Sequence, residues 1–258
     1  MFIKFTKKLN LGVIMNSILL NPQLYGWQHL TYLAIYFVIL VASIILTKLY
    51  IKTDKQKTIL LKSVAGVLLI FILMNRISIA VKYNNIASFI PNTYCGTTSL
   101  LLSLFVLFGK PELKAYHFLF YMGLVGGIAT MFYPDFLGQD ASFFYIPTIS
   151  GLLHHSVLLL LCILLLQTKW FTPDLKKWKY FPIGFCCYVI YGLFIMDIFN
   201  LDNAMEINGS LIEGTPLNWW FLLIVGSALL FVALYSIELI KKYKNKKLNA
   251  KTNENENN

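Results

Sequence analysis

Residues 145–167 read YIPTISGLLHHSVLLLLCILLLQ, and this stretch decides the fold class. It contains no Lys, Arg, Asp or Glu from end to end. A run of about twenty apolar residues is what a helix needs to cross a hydrocarbon core of about 30 Å. The pattern recurs to either side. Spans are read over 26–49, 58–81, 94–108, 116–133, 145–167, 181–200 and 217–240, the third being the shortest. The whole chain has 57% hydrophobic and only 13% charged residues, too little polar surface to cover a water-soluble domain of this size. The expected fold is therefore all-α: a polytopic membrane protein built as one bundle of about seven helices, occupying 23–241.

The polar segments between the spans set the orientation. Most of the 22 basic residues fall after the first, third, fifth and seventh spans, from Lys48 to Lys62, at Lys110 and Lys114, from Lys169 to Lys179 and from Lys241 to Lys251. The opposite loops carry Lys82 and the acids Asp135, Asp140, Asp202, Glu206 and Glu213. The positive-inside rule then predicts a cytoplasmic C-terminus, an external N-terminus and residence in the cell membrane. Segment 1–22 goes against the rule with Lys4, Lys7 and Lys8; it reads either as an interfacial helix or as leader to a start at Met15. The Lys/Asn/Glu-rich tail, 242–258, is expected to be disordered. The net charge of +10 is spent on orientation, and no zinc-finger, helix-turn-helix or RNA-binding pattern accompanies it, so no nucleic-acid partner is expected. The four cysteines sit in or beside the spans and form no secreted disulfide framework.

Ionisable and polar groups inside a bilayer are costly, and each calls for a reason. With the orientation above, His29 (first span), Asn75 and Arg76 (second), Cys95 (third), His154 and His155 (fifth), and Asp197 and Asn200 (sixth) all fall in the outer half of the membrane. A cap at Asn92 or Thr93 would put Cys95 in the first turn of its helix, where free amides and the helix dipole favour a thiolate. A nearby imidazole would complete a Cys–His pair suited to acyl transfer. Adjacent residues on a helix point about 100° apart, which leaves open whether His154 or His155 faces Cys95. Cys162, Cys186 and Cys187 read as small hydrophobes, and His117 lies at the inner end of its span. Gly123 and Gly127 form a small-xxx-small pair for close helix packing. No Walker motif, His-Glu-x-x-His site or dinucleotide fingerprint occurs, so neither a metal nor a cofactor is expected.

Several short motifs resemble one family. The run Ile90-Pro91-Asn92-Thr93-Tyr94-Cys95 is similar to a Leu-Pro-x-x-x-Cys entry to a third span. Tyr121-Met122-Gly123-Leu124-Val125-Gly126-Gly127, then Tyr133-Pro134-Asp135, resembles that family's fourth span and Pro-Asp loop. Leu153-His154-His155-Ser156 resembles its Ser-His-Gly segment, with Ser156 in place of the glycine. Asn203-Ala204-Met205, followed by Pro216 and Trp219, resembles its Asn-Tyr-Met loop, with alanine for tyrosine; His29 resembles a histidine opening the first span. The family is that of the YwaF-like bacterial membrane proteins, similar to the eukaryotic transmembrane protein 164 acyltransferases. The resemblance implies a seven-helix fold in which Cys95, with His155 as base, moves a fatty acyl group from a phospholipid to an acceptor lipid. It leaves His154 as a possible base or neighbour. His29, Asn75, Arg76, Asp197 and Asn200 are candidate orienting or lipid-binding groups.

The partners expected on this reading are membrane phospholipids as acyl donor and acceptor, with the oligomeric state open. The alternative is a non-enzymatic small-molecule binder or transporter whose pocket is lined by the same outer-half groups. A scaffold, in which those groups only join helices, is the third class.

Overall fold

The computed structural model describes residues 23–134, 136–137, 142–211 and 214–256, and side chains as far as 246. Segment 1–22, with its interfacial reading, lies outside the described residues, as do Asp135, Asp140 and Glu213. The described residues form seven α-helices: α1 (Trp27–Tyr50), α2 (Asp54–Tyr83), α3 (Tyr94–Phe108), α4 (Tyr116–Phe132), α5 (Ile146–Gln167), α6 (Tyr180–Phe199) and α7 (Trp219–Glu256). Short 3-10 turns at Ile86–Phe89 and Leu175–Lys177 complete the fold. Each helix overlaps one predicted span.

Five of the helices carry stretches long and apolar enough to cross a bilayer. α3 and α4, with 15 and 17 residues, reach only about 22 and 25 Å at 1.5 Å per residue. Their environment compensates for the shortness. The entry to α3 is lengthened by residues 91–93, onto which the loop after α6 folds through the Met205 N–H to Asn92 carbonyl bond of 2.8 Å. Local signals fix several ends: Thr53 and Gln56 form a capping box before α2, Thr93 caps α3, and a proline lies in the first turn of α5.

α5 is the hub of the bundle. Of its apolar stretch 67% is buried, against 6% for α1 and for α7. α2 packs along its length, and α1, α3 and α4 contact it too, while α6 leans on α4 and carries α7 at the edge. The core is rich in aromatic rings: Phe118 meets Tyr188 edge-on at 4.6 Å, and Phe120 lies 4.7 Å from Phe171. Gly123 and Gly127 do what their spacing predicts. A Cβ on Gly123 would come within 2.9 Å of Cys162 Sγ, and one on Gly127 within 3.0 Å of Leu159 Cβ, so α4 lies directly on α5.

The outside of the bundle is apolar, with Ile35, Phe37, Val38, Val125, Ile190 and Leu229 among the exposed large hydrophobic side chains. Exposed aromatic residues gather at both ends: Trp27, Tyr133, Tyr145 and Trp220 at the lysine-poor end, and Tyr50, Trp178 and Tyr243 at the lysine-rich end. Such paired belts mark the two membrane–water interfaces.

α1 is attached differently from the rest. Its contacts with the bundle are polar: the Tyr32 hydroxyl pairs with Ser156 Oγ at 2.5 Å, and the Tyr36 hydroxyl donates to the Ser156 carbonyl at 2.9 Å. Further along, Gln167 Nε2 donates to the Ile44 carbonyl at 2.7 Å. One expectation needs correcting. α7 continues to Glu256, so helical backbone runs through most of the 242–258 tail expected to be disordered. Lys, Glu and Ala are good helix formers, and here they prolong an existing helix with no new nucleation to overcome.

Candidate functional site

Pro91-Asn92-Thr93 leads the chain into α3, and its backbone is held from three directions. Thr93 Oγ1 accepts from the Gly96 N–H at 3.3 Å, which fixes Thr93, of the two candidate residues, as the cap. The Pro91 carbonyl accepts from the Tyr191 hydroxyl at 2.9 Å and from Thr97 Oγ1 at 3.2 Å. Asn92 is fastened by Met205, whose side chain is fully buried against Gly192. Cys95 follows in the first helical turn, half-buried and not in a disulfide. Its sulfur lies against α4: a Cβ placed on Gly126 would stand 2.7 Å from Cys95 Sγ.

Ser99 lies one turn further along α3, on the same face as Cys95. Its hydroxyl is 3.2 Å from His154 Nδ1, so α5 delivers an imidazole to the helix face that bears the thiol. The His154 and His155 rings sit 4.0 Å apart, tilted by 34°. Both are buried, and His155 Nδ1 has no hydrogen-bond partner. An unpaired buried ring nitrogen is available for a proton or for a ligand.

Arg76 approaches from α2. Its Nη2 donates to Asn75 Oδ1 at 3.0 Å, and its Nε is buried without a partner. Asn75 in turn donates to the Pro147 carbonyl and to Ser150 Oγ, each at 3.1 Å, locking α2 to the start of α5. Tyr188 closes the site from α6, its hydroxyl 3.0 Å from Thr98 Oγ1.

The remaining candidates are elsewhere. His29 is fully buried with both nitrogens engaged: Nδ1 accepts from the Tyr25 N–H at 3.2 Å, and Nε2 bonds the Met131 carbonyl at 3.0 Å. It ties α1 to α4. Asp197 and Asn200, expected as possible orienting groups, are both exposed, and Asn200 takes a left-handed conformation that ends α6. The reason is rotational: α6 turns Tyr188 and Tyr191 inward, which sends Asp197 and Asn200 outward. His117 is buried at the lysine-rich end, 4.8 Å from Phe171. Cys162 lies in the core, and Cys186 and Cys187 are exposed on α6. Among the described residues, no three His, Cys, Asp or Glu side chains gather as a metal site.

Sequence reasoning missed Ser99, Gly126, Tyr188 and Tyr191. The spacing of four between Cys95 and Ser99 was a usable signal for the first. The others depend on which faces of α4 and α6 turn inward, and apolar sequence on every side does not encode that.

The fold defines a helical, multi-pass membrane protein whose lysine-poor half carries the half-buried Cys95 and Arg76 and the buried His154–His155 pair. The chain belongs to the TMEM164 family, whose sequence model matches residues 24–237. No curated protein and no solved structure matches it.

Proposed function

We propose that the protein is a lipid acyltransferase of the cell membrane, working by a Cys–His pair in the leaflet opposite the lysine-rich face. The observation that carries this is that Cys95, in the capped first turn of α3, shares a helix face with Ser99, which meets His154 of the buried imidazole pair on α5. Family membership supports the same class.

The steps follow from the chemistry of the groups. Cys95 Sγ, its proton taken by imidazole, attacks the ester carbonyl of a membrane phospholipid and forms a C–S bond. The amides opening α3 stabilise the oxyanion. The C–O bond then breaks, and the departing lysophospholipid oxygen takes the proton back from the imidazolium. An acceptor lipid hydroxyl next attacks the thioester, giving its proton to the imidazole. The sulfur leaves as thiolate and is reprotonated. His155 is the base on this scheme: its ring nitrogen has no competing partner, whereas His154 is engaged by Ser99 and supports it from behind.

The test is mass-spectrometric detection of acyl-Cys95 in purified protein reconstituted with mixed phospholipids and treated with an acyl activity probe. Selective labelling of Cys95 that drops in His155→Ala and persists in His154→Phe supports the scheme. An unreactive Cys95 in folded protein refutes it and makes the pocket a binding or transport site.

A further inference from the structure

Arg76 has a property that the acyl-transfer scheme leaves unused. Its guanidinium is permanently charged and lies deep enough in the bundle for Nε to be buried without a partner. Its hydrogen bond goes to a neutral amide, Asn75 Oδ1. Among the described residues no carboxylate pairs with it. An unbalanced cation in such surroundings is costly. Snorkelling to the interface would relieve that cost, but the bond to Asn75, itself pinned to Pro147 and Ser150, holds the side chain in place. The site is short of one negative charge.

The surroundings also say where that charge belongs. A Cβ on Gly151 would stand 3.7 Å from Asn75 Nδ2, and His155, whose Nδ1 is buried and unpaired, follows one turn on. Asn75, the partner of Arg76, is fixed to Ser150, one helical turn before His154, so the guanidinium lies where α2 meets the helix that bears the imidazoles. A planar fork of N–H donors suits a phosphate oxygen pair.

We infer that Arg76 is the seat of a phosphate group, the headgroup phosphate of a lipid whose ester then reaches toward Cys95. This rests on the acyltransferase reading for its purpose, but binding can be tested without turnover. Cys95→Ala protein in uncharged detergent is offered dioleoylphosphatidylglycerol or dioleoylglycerol, and retention is read by native mass spectrometry, with inorganic phosphate as competitor. The phospholipid is expected to be retained about ten- to a hundredfold over the diacylglycerol, the range of a charge-assisted hydrogen bond. The preference should fall toward one in Arg76→Gln.

Since Arg76→Gln could fail to fold, a second measurement keeps the native side chain. Nitrogen–phosphorus dipolar recoupling between ¹⁵N-labelled Arg76 and the lipid ³¹P should show a direct coupling. Equal retention of the two lipids by Arg76-bearing protein, or no coupling, overturns the seat. Displacement of the phospholipid by inorganic phosphate assigns the seat to free phosphate and overturns the lipid reading. Loss of acyl transfer in Cys95-bearing protein that still prefers the phospholipid would count against the enzyme alone.

Discussion

Gly126→Ala is the sharpest perturbation the site offers. The added methyl would stand 2.7 Å from Cys95 Sγ, and the sulfur must retreat by roughly 0.7 Å to reach ordinary contact near 3.4 Å. The sulfur is the tip of a one-torsion side chain, so it can rotate aside. Overpacking costs about 1–3 kcal/mol, and replacing helical glycine by alanine returns about 1 kcal/mol. The net loss of stability should be small, about 0–2 kcal/mol. Reactivity is more sensitive, because a displacement of about 1 Å can cost on the order of a hundredfold in a positioned reaction. We expect acyl-probe labelling of Cys95 to fall about ten- to a hundredfold, with much less change toward iodoacetamide, which needs no fixed approach. Gly127→Ala is the control. Its methyl meets Leu159 Cβ at 3.0 Å and Leu159 Cα at 3.4 Å, atoms that cannot rotate away, so α4 must shift off α5. That variant should lose about 1–3 kcal/mol in detergent unfolding. If Gly126→Ala leaves acyl labelling unchanged, or if the two probes fall in parallel, the placement of the sulfur against α4 is wrong.

Four further outcomes are expected. Thr93→Val removes the α3 cap; it should cost about 1 kcal/mol and slow Cys95 labelling, measured by unfolding and by probe kinetics on one preparation. Asp197→Asn and Asn200→Ala should leave labelling rates within twofold of the parent, because both residues are exposed; a large loss would restore their expected orienting role. Tyr36→Phe deletes the hydroxyl bond to the Ser156 carbonyl and should cost about 0.6 kcal/mol, the usual worth of an interhelical hydrogen bond in a membrane, read by steric-trap unfolding. Asp54 is held below the ordinary carboxylate range by the hydrogen bond from Lys57. The folded-state pKa being the lower one, this contact contributes above the unfolded pKa and is lost as pH falls through the folded one. An NMR titration should find the depression, and Lys57→Met should abolish it.

The spans were legible because twenty-residue apolar runs and lysine-bearing gaps are one-dimensional signals. Even the short α3 starts at Tyr94 and ends at Phe108 as predicted. Cys95, His154 and His155 were legible as expensive groups in the outer half of the membrane. Which face each residue occupies was not. In water, apolar periodicity reports the buried face of a helix, but lipid rewards apolar residues on both faces, so the outward turn of Asp197 and the inward turn of Ser99 left no trace in hydropathy. His29 shows the same gap. Depth placed it beside the candidate site, and only the rotation of α1 revealed a ring fully used in joining α1 to α4.

The fastening of the α3 entry has a consequence in time. Cys95 enters the membrane early in synthesis, yet Pro91 waits for Tyr191, from 100 residues further along the chain, and Asn92 waits for Met205. The imidazoles come two helices after Cys95, on α5. A nascent chain that has inserted only its first four helices therefore carries a thiol whose helix start has only its local Thr93 and Thr97 bonds and which has no α5 imidazole beside it. The setting of the proposed nucleophile is therefore completed last, after nearly all of the bundle has been made.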